Sequence, residues 1–294
     1  MEILSQRQLH TARLRGFWTL TKFRQTALLL VTGICAYALT EGVPFDPAEA
    51  LWMVSALFLS ISGCTALNMV LDRDIDVIME RTASRPLPAG LIQPSEALMF
   101  GGTLSILGLS FAYALDLAFG LVVSAGFILD LVVYTAWLKR RTPISILLGG
   151  ASGAMPVLAG RVLALGHIDA IGILLAASVV LWIPSHILAL TTRRAAEYRR
   201  AGVPTWPSVY GARATRVFTA GSNLLNTTAL ITAGLMLRIH GAALVALLAC
   251  SLVICILSTV QLAAPSAKRN WLLFKLASLY MLTSMLLLTL GSLA

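Results

Sequence analysis

Charge is what this sequence has least of. Only 12% of its 294 residues are Asp, Glu, Lys or Arg, about half the share usual in a soluble domain, which excludes an ordinary water-soluble globule. Cysteine is scarce as well. Cys35, Cys64, Cys250 and Cys255 all fall inside apolar runs and form no CxxC pair, so they read as buried small hydrophobes. Strict apolar–polar alternation is missing, which argues against the strands of a membrane barrel. No linker is long enough to divide the chain, so one domain over residues 1–294 is expected. No clear internal repeat stands out either, which argues against a transporter built from repeats.

What the chain has in abundance is apolar length. Hydrophobic residues make up 58% and the mean hydropathy is +0.85. Runs of about twenty apolar residues, enough for one helix to cross the hydrocarbon core, recur near 25–40, 51–71, 97–115, 117–137, 144–164, 169–191, 216–237, 241–261 and 271–292. The stretch 97–137 is nearly continuous and broken only around Asp116. The expected class is all-α integral membrane, with about nine transmembrane helices.

The net charge of +9 suggests nucleic acid until its placement is considered. Arg7, Arg13, Arg15, Lys22 and Arg24 precede the first span, and Lys139, Arg140 and Arg141 follow the fourth. Arg193, Arg194, Arg199, Arg200, Arg213 and Arg216 lie between the sixth and seventh, and Lys268 and Arg269 between the eighth and ninth. The opposite loops hold little beyond Arg161, Arg238 and the acids Glu41, Asp46 and Glu49. Basic residues on one side mark the cytoplasmic face, so the N-terminal segment 1–24 is expected in the cytoplasm and the C-terminus outside. Membrane lipids are the expected surroundings and nucleic acid is not an expected partner. No cleavable signal or transit-type leader is read, which points to a plasma membrane.

The segment after the second span carries the chemistry. Asn68, Asp72 and Asp76 are spaced i, i+4, i+8, which aligns three oxygen-bearing side chains along one helix face. Such a row at a membrane helix end is costly without a counter-charge. Mg²⁺ supplies one, because it prefers oxygen ligands and commonly joins one or two carboxylates to substrate phosphates. Asp74 falls off that face and is left to pair with Arg73, Arg81 or another loop base. Arg81 and Arg85 follow within reach of a bound anion and can clamp phosphate oxygens. Pro86 and Pro88 then end the helix. The alternative is a solvated loop of mixed charge.

With those residues in place, the chain resembles the UbiA superfamily of intramembrane prenyltransferases, which carries an NxxxDxxxD motif after its second helix. Several further blocks resemble the haem-prenylating branch of that superfamily: Leu20-Thr21-Lys22-Phe23-Arg24, Met79-Glu80-Arg81-Thr82 with Arg85-Pro86-Leu87-Pro88-Ala89-Gly90, Tyr134 through Pro143, Gly149 through Pro156, and Ala201-Gly202-Val203-Pro204. They span roughly residues 20–210. The chain departs from the branch at Phe23, at Ser145, after His186, at Thr205-Trp206, and at Glu197, where the branch has Asp.

The resemblance implies helices arranged around a central cavity, farnesyl diphosphate as donor, haem B as acceptor, Mg²⁺ as cofactor, and a haem A synthase or terminal oxidase complex as recipient. It implies a second metal position at Glu197; from the residues alone, pairing with its arginine neighbours fits equally. Lys139 and Arg140 are expected to steady the diphosphate. Tyr134 is implied as an aromatic face for a developing allylic cation, or it is an interfacial tyrosine. His186, a histidine within a span, fits a haem ligand or a hydrogen-bonded structural residue. Gly149, Gly153 and Gly160 are expected to permit close helix packing. The competing functions are transfer to a quinone precursor or lipid, a transporter, and a respiratory assembly factor.

Overall fold

A computed structural model describes residues 6–40, 42 and 44–293; Glu41 and residues 1–5 of the basic segment lie outside that range. The chain is helical from its first described residue. Helix α1 (Gln6–Leu20) occupies the basic segment, which the sequence reading left without structure. Phe17 and Leu20 pack with Ala66, Met69, Ile92, Ala97 and Phe100, and Arg13 pairs with Glu96. A two-residue turn follows, and Lys22 takes a left-handed conformation (φ 46°), unusual for a residue with a Cβ.

The rest is a bundle. Helix α2 (Phe23–Ala38) leads to α3 (Pro47–Leu71), which Asp46 caps by accepting from the Ala48 amide at 2.8 Å. A short helix α4 (Arg73–Ile78) lies beyond α3, followed by α5 (Pro94–Leu115). Asp116 ends α5 and caps α6 (Leu117–Ile128) through the Phe119 amide at 2.7 Å, so the expected break falls there. Next come α7 (Ser145–Leu165), α8 (Ala170–Ile183), α9 (Ala189–Arg193) and α10 (Ala195–Arg200), then α11 (Trp206–Met236), α12 (Gly241–Ala263) and α13 (Ala267–Ser292). Two π-helical stretches are inserted: Leu129–Leu138 extends α6, and Pro184–Leu188 joins α8 to α9. The second begins at a proline, whose missing N–H breaks the ordinary ladder.

Among the described residues, seven helices are long and apolar enough to cross a membrane. The other two of the nine expected spans fall on α2 and α11, which are not among those seven. Helix α2 is short, at 16 residues, and α11 is diluted by an inward polar row, in which Asn223 donates to Ser258 at 2.6 Å and accepts from Ser185. The lipid-facing surface is apolar: Leu51, Met99, Ile106, Leu117 and Val245 are all more than half exposed. This is the inverse of a soluble surface and fits a multi-pass membrane protein.

Two apolar cores meet along α2 and α7. One gathers Cys35, Val157, Leu175, Leu230, Leu247 and Met281; the other gathers Tyr37, Met53, Leu57, Phe119, Val123 and Ala159. At their seam a Cβ on Gly160 would lie 2.1 Å from the Gly33 carbonyl oxygen, so only glycine permits that approach. Gly153 is less constrained, since a Cβ there would meet Ile183 at 3.8 Å. All four cysteines are free, with Cys35 and Cys64 buried.

Candidate active site

The helical hydrogen-bond pattern runs through the junction of α3 and α4. The Asp72 amide donates to the Asn68 carbonyl and the Asp76 amide to the Asp72 carbonyl, both at 2.9 Å. Asn68, Asp72 and Asp76 therefore keep their common face and are all buried. Each has a partner. Asn68 donates through Nδ2 to Asp130 at 2.7 Å, Asp72 is bound by the Lys139 ammonium, and Asp76 accepts from Arg85 at 2.7 Å. Yet Asn68 Oδ1 and Asp72 Oδ1 are buried with no hydrogen-bond partner.

The π-helical stretch supplies the opposite wall. Its i, i+5 bonding places the Lys139 amide on the Tyr134 carbonyl at 2.8 Å, with the Lys139 ammonium 5.8 Å from the centre of the Tyr134 ring. That ring lies against Gly149 of α7, where a Cβ would come within 2.9 Å of it. Burial works against the Lys139 charge, but Tyr134 and the Asp72 carboxylate outweigh it and hold the ammonium above its ordinary value. Asp130, one turn before Tyr134, accepts from Asn68 and from the Cys64 thiol, the latter at 3.3 Å. It also borders a narrow apolar cleft of about 70 Å³ between α2, α3, α6 and α7, lined by Leu57, Val123, Phe127 and Pro156.

The third wall is the loop after α9. Ile75 and Met79 pack with Tyr198, Ala201 and Val203, and this small cluster draws α10 onto α4. Glu197 is buried there, and Arg194 binds one of its oxygens. The Arg194 guanidinium, with Arg81 adding to it, holds the Glu197 carboxyl below its usual range. The second oxygen, Oε2, is buried without a partner. One Glu197 oxygen is therefore salt-bridged and the other has no hydrogen-bond partner.

Asn68 Oδ1 and Asp72 Oδ1, one helical turn apart, and Glu197 Oε2 on the neighbouring loop are buried acceptors without donors, each suited to a hard cation because a desolvated oxygen with nothing to bind is costly. Among the described residues no group of three or more His, Cys, Asp or Glu side chains comes together. A cation held here would draw on the Asn68 amide and on oxygens from its own ligand, a mode usual for Mg²⁺.

Sequence reasoning missed two residues of this cluster. Asp130 is a lone carboxylate in an apolar span, and its expense there was the available signal. Lys22 is half-buried, and its ammonium is lowered by burial and by the like charges of Arg85 and Lys139, against the pull of Asp130 and Asp72. Two expected residues sit elsewhere. Arg140 donates twice to Asp74, at 2.6 and 2.7 Å, and once to the Leu71 carbonyl at 2.8 Å, so it clamps α4 to the end of the π-helical stretch and keeps Asp74 ionised below the usual range. His186 is stacked between Trp182 and Phe274, at 4.7 Å from each ring, with Nδ1 bonded to Ser278 at 3.0 Å. Both its faces are covered, which leaves only the Nε2 edge for a metal.

Residues 29–282 match the family model of the UbiA prenyltransferase family. Similar curated proteins include a protoheme IX farnesyltransferase of Archaeoglobus fulgidus, 45% identical over 68% of this chain and 70% of its own length. One from Korarchaeum cryptofilum is 42% identical over 75% of this chain and 74% of its own. In fold, the chain is similar to a solved digeranylgeranylglyceryl phosphate synthase (TM-score 0.80, 19% identity, 96% of this chain and 99% of that one). It is also similar to a UbiA homolog from Archaeoglobus fulgidus bound to GPP and Mg²⁺ (TM-score 0.68, 14% identity, 93% and 99%).

Proposed function

The chain belongs to the UbiA prenyltransferase family, and from that membership we propose that it transfers a farnesyl group from farnesyl diphosphate to a vinyl group of haem B, at the site built on Asn68, Asp72 and Glu197. It is a prenyltransferase and a multi-pass membrane protein. The haem acceptor is supported by the protoheme IX farnesyltransferases it resembles at 42–45% identity. The observation that carries the site is the set of three buried oxygens without donors, on two loops that pack together.

In this reading Asn68, Asp72 and Asp76 would hold Mg²⁺, with Arg85 on one Asp76 oxygen, and Glu197 would serve a second metal position. Bound Mg²⁺ neutralises the diphosphate and improves it as a leaving group. Lys139, Lys22, Arg81 and Arg85 provide the cationic donors that the diphosphate needs. The apolar cleft beside Asp130 receives the start of the prenyl chain and keeps water from the allylic carbon. The Tyr134 ring offers its electron-rich face there. As the C–O bond breaks, diphosphate departs and the vinyl carbon of haem B bonds to the allylic carbon. Water then takes up the cation left on the haem side chain and releases a proton, giving a hydroxyethylfarnesyl group. His186 Nε2 is the candidate iron contact. The whole chain acts as one domain in the plasma membrane, with the site facing the cytoplasm, and passes its product to a haem A synthase or a terminal oxidase complex.

The test is an incubation of purified protein with farnesyl diphosphate, haem B and Mg²⁺, read by mass spectrometry. Haem heavier by a farnesyl group plus water is the expected product. Prenyl transfer to a quinone precursor or a lipid, with haem unchanged, would keep the enzyme class and overturn the acceptor.

A further inference from the structure

A second and larger cavity lies outside this site. It measures about 590 Å³ and opens between α9, α11, α12 and α13. The helices alternate in direction, so the end of α9, the start of α11, the end of α12 and the start of α13 share the membrane face on which α3 ends. Three cations line the cavity, Arg193, Arg216 and Lys268, and no Asp or Glu does so among the described residues. Among the described residues, none of the three forms an ion pair.

The cavity has the parts of an anion seat. Arg216 Nε is buried with no hydrogen-bond partner. The Arg193 guanidinium lies 4.6 Å from the centre of the Trp271 ring, a contact that orders a long side chain and keeps its charge. The neighbouring amides are already used: Asn270 donates to the Ala189 carbonyl at 2.9 Å, and Gln261 accepts from the Ser266 amide at 3.1 Å. They hold the walls together across three helices. Leu188 and Leu273 make the deeper lining apolar. A ligand suited to this cavity has an anionic head that arginine can clamp, and an apolar body that continues into the bilayer.

We propose that this cavity binds the phosphate headgroup of an anionic phospholipid. The chain spans the membrane, and a basic pocket between helices at the cytoplasmic face is where such headgroups are concentrated. Native mass spectrometry of the detergent-purified protein tests this, with phosphatidylglycerol and phosphatidylcholine of matched acyl chains as probes. The wild type retains phosphatidylglycerol in preference to phosphatidylcholine. Removing two cations with Arg216→Gln and Lys268→Gln lowers that preference about thirtyfold. The charge-retaining pair Arg216→Lys with Lys268→Arg keeps most of it, which separates lost charge from lost fold. Equal retention of both lipids, or an undiminished preference in the glutamine variant, would overturn the proposal. Competition separates the sources of the anion. Displacement of phosphatidylglycerol by inorganic phosphate alone, or by haem B through its carboxylates, would reject the phospholipid as occupant; resistance to both supports it.

Discussion

Asp130 decides which end of the Asn68 amide faces the carboxylates. It accepts from Nδ2, and that bond leaves Oδ1 turned away from it as a free acceptor. In Asp130→Asn the partner can also donate, so Asn68 can present either end. Loss of such an orienting contact typically costs 10- to 100-fold in metal affinity. The dependence of turnover on Mg²⁺ concentration should therefore move to about 10- to 100-fold higher metal, with kcat recovered at saturation; an unmoved metal dependence would show that Asp130 does not position Asn68. Asp72→Ala removes a proposed ligand and should abolish turnover while the protein still inserts in the membrane, as followed by product formation and membrane fractionation. Retained turnover would remove Asp72 from the mechanism. These two residues also differ in legibility. Asp72 was visible because its spacing from Asn68 and Asp76 has a geometric meaning on a helix. Asp130 stands alone in its span, and its partner is 62 positions away, a pairing that sequence periodicity does not encode. The pairing of Arg140 with Asp74 was unread for the same reason, since the two meet only through the fold.

The packing of helical elements separates two glycines that look alike in sequence. Gly149 faces a ring and Gly160 faces a backbone. In Gly149→Val the added carbons meet the Tyr134 side chain, which can yield by rotating, so turnover should fall well beyond tenfold with little change in melting temperature. In Gly160→Val the obstacle is the Gly33 carbonyl, 2.1 Å from the first added carbon, and α2 and α7 must part. Overpacking of that kind costs about 1–3 kcal/mol or more, so the melting temperature in detergent should drop by several degrees; equal thermal effects in the two variants would contradict this division. The lengths of α3, α5, α7, α12 and α13 could be read from apolar run length alone. The π-helical stretch Leu129–Leu138 could not, because the choice between i−4 and i−5 bonding has no marker in residue type. Helix α1 was hidden by its basic composition, its apolar contacts being supplied by the ends of α3 and α5.

At the scale of the molecule, charge is sorted between the two membrane faces and serves a different purpose on each. On the face opposite the site, Arg161 is buried and joins three elements, bonding Asp169 at 2.8 and 3.2 Å and Thr40 at 3.1 Å. Burial opposes the Asp169 charge, but Arg161 and the Gly172 amide prevail and hold the carboxyl below its usual range. A carboxyl depressed by folding adds stability above its unfolded pKa and loses it as pH falls through the folded value. Asp169→Asn, which strands a buried guanidinium, should cost about 3 kcal/mol near neutrality, and the gap in melting temperature between wild type and variant should close as pH drops below about 4; a gap independent of pH would mean that the pair is not what Asp169 contributes. On the site face the bases are more numerous and exposed, and by the positive-inside rule the cytoplasm is the side proposed for it. The native cysteines all lie within helices of the bundle, so single cysteines added in loops can report sidedness. His167→Cys should react with a membrane-impermeant maleimide in intact cells, and Arg199→Cys only after permeabilisation, because both positions are exposed and lie at opposite ends of the bundle. The reverse pattern would put Asp72 and Glu197 outside the cell and leave the clustered arginines without a topological reason, so that their placement would have to be explained by ligand binding alone.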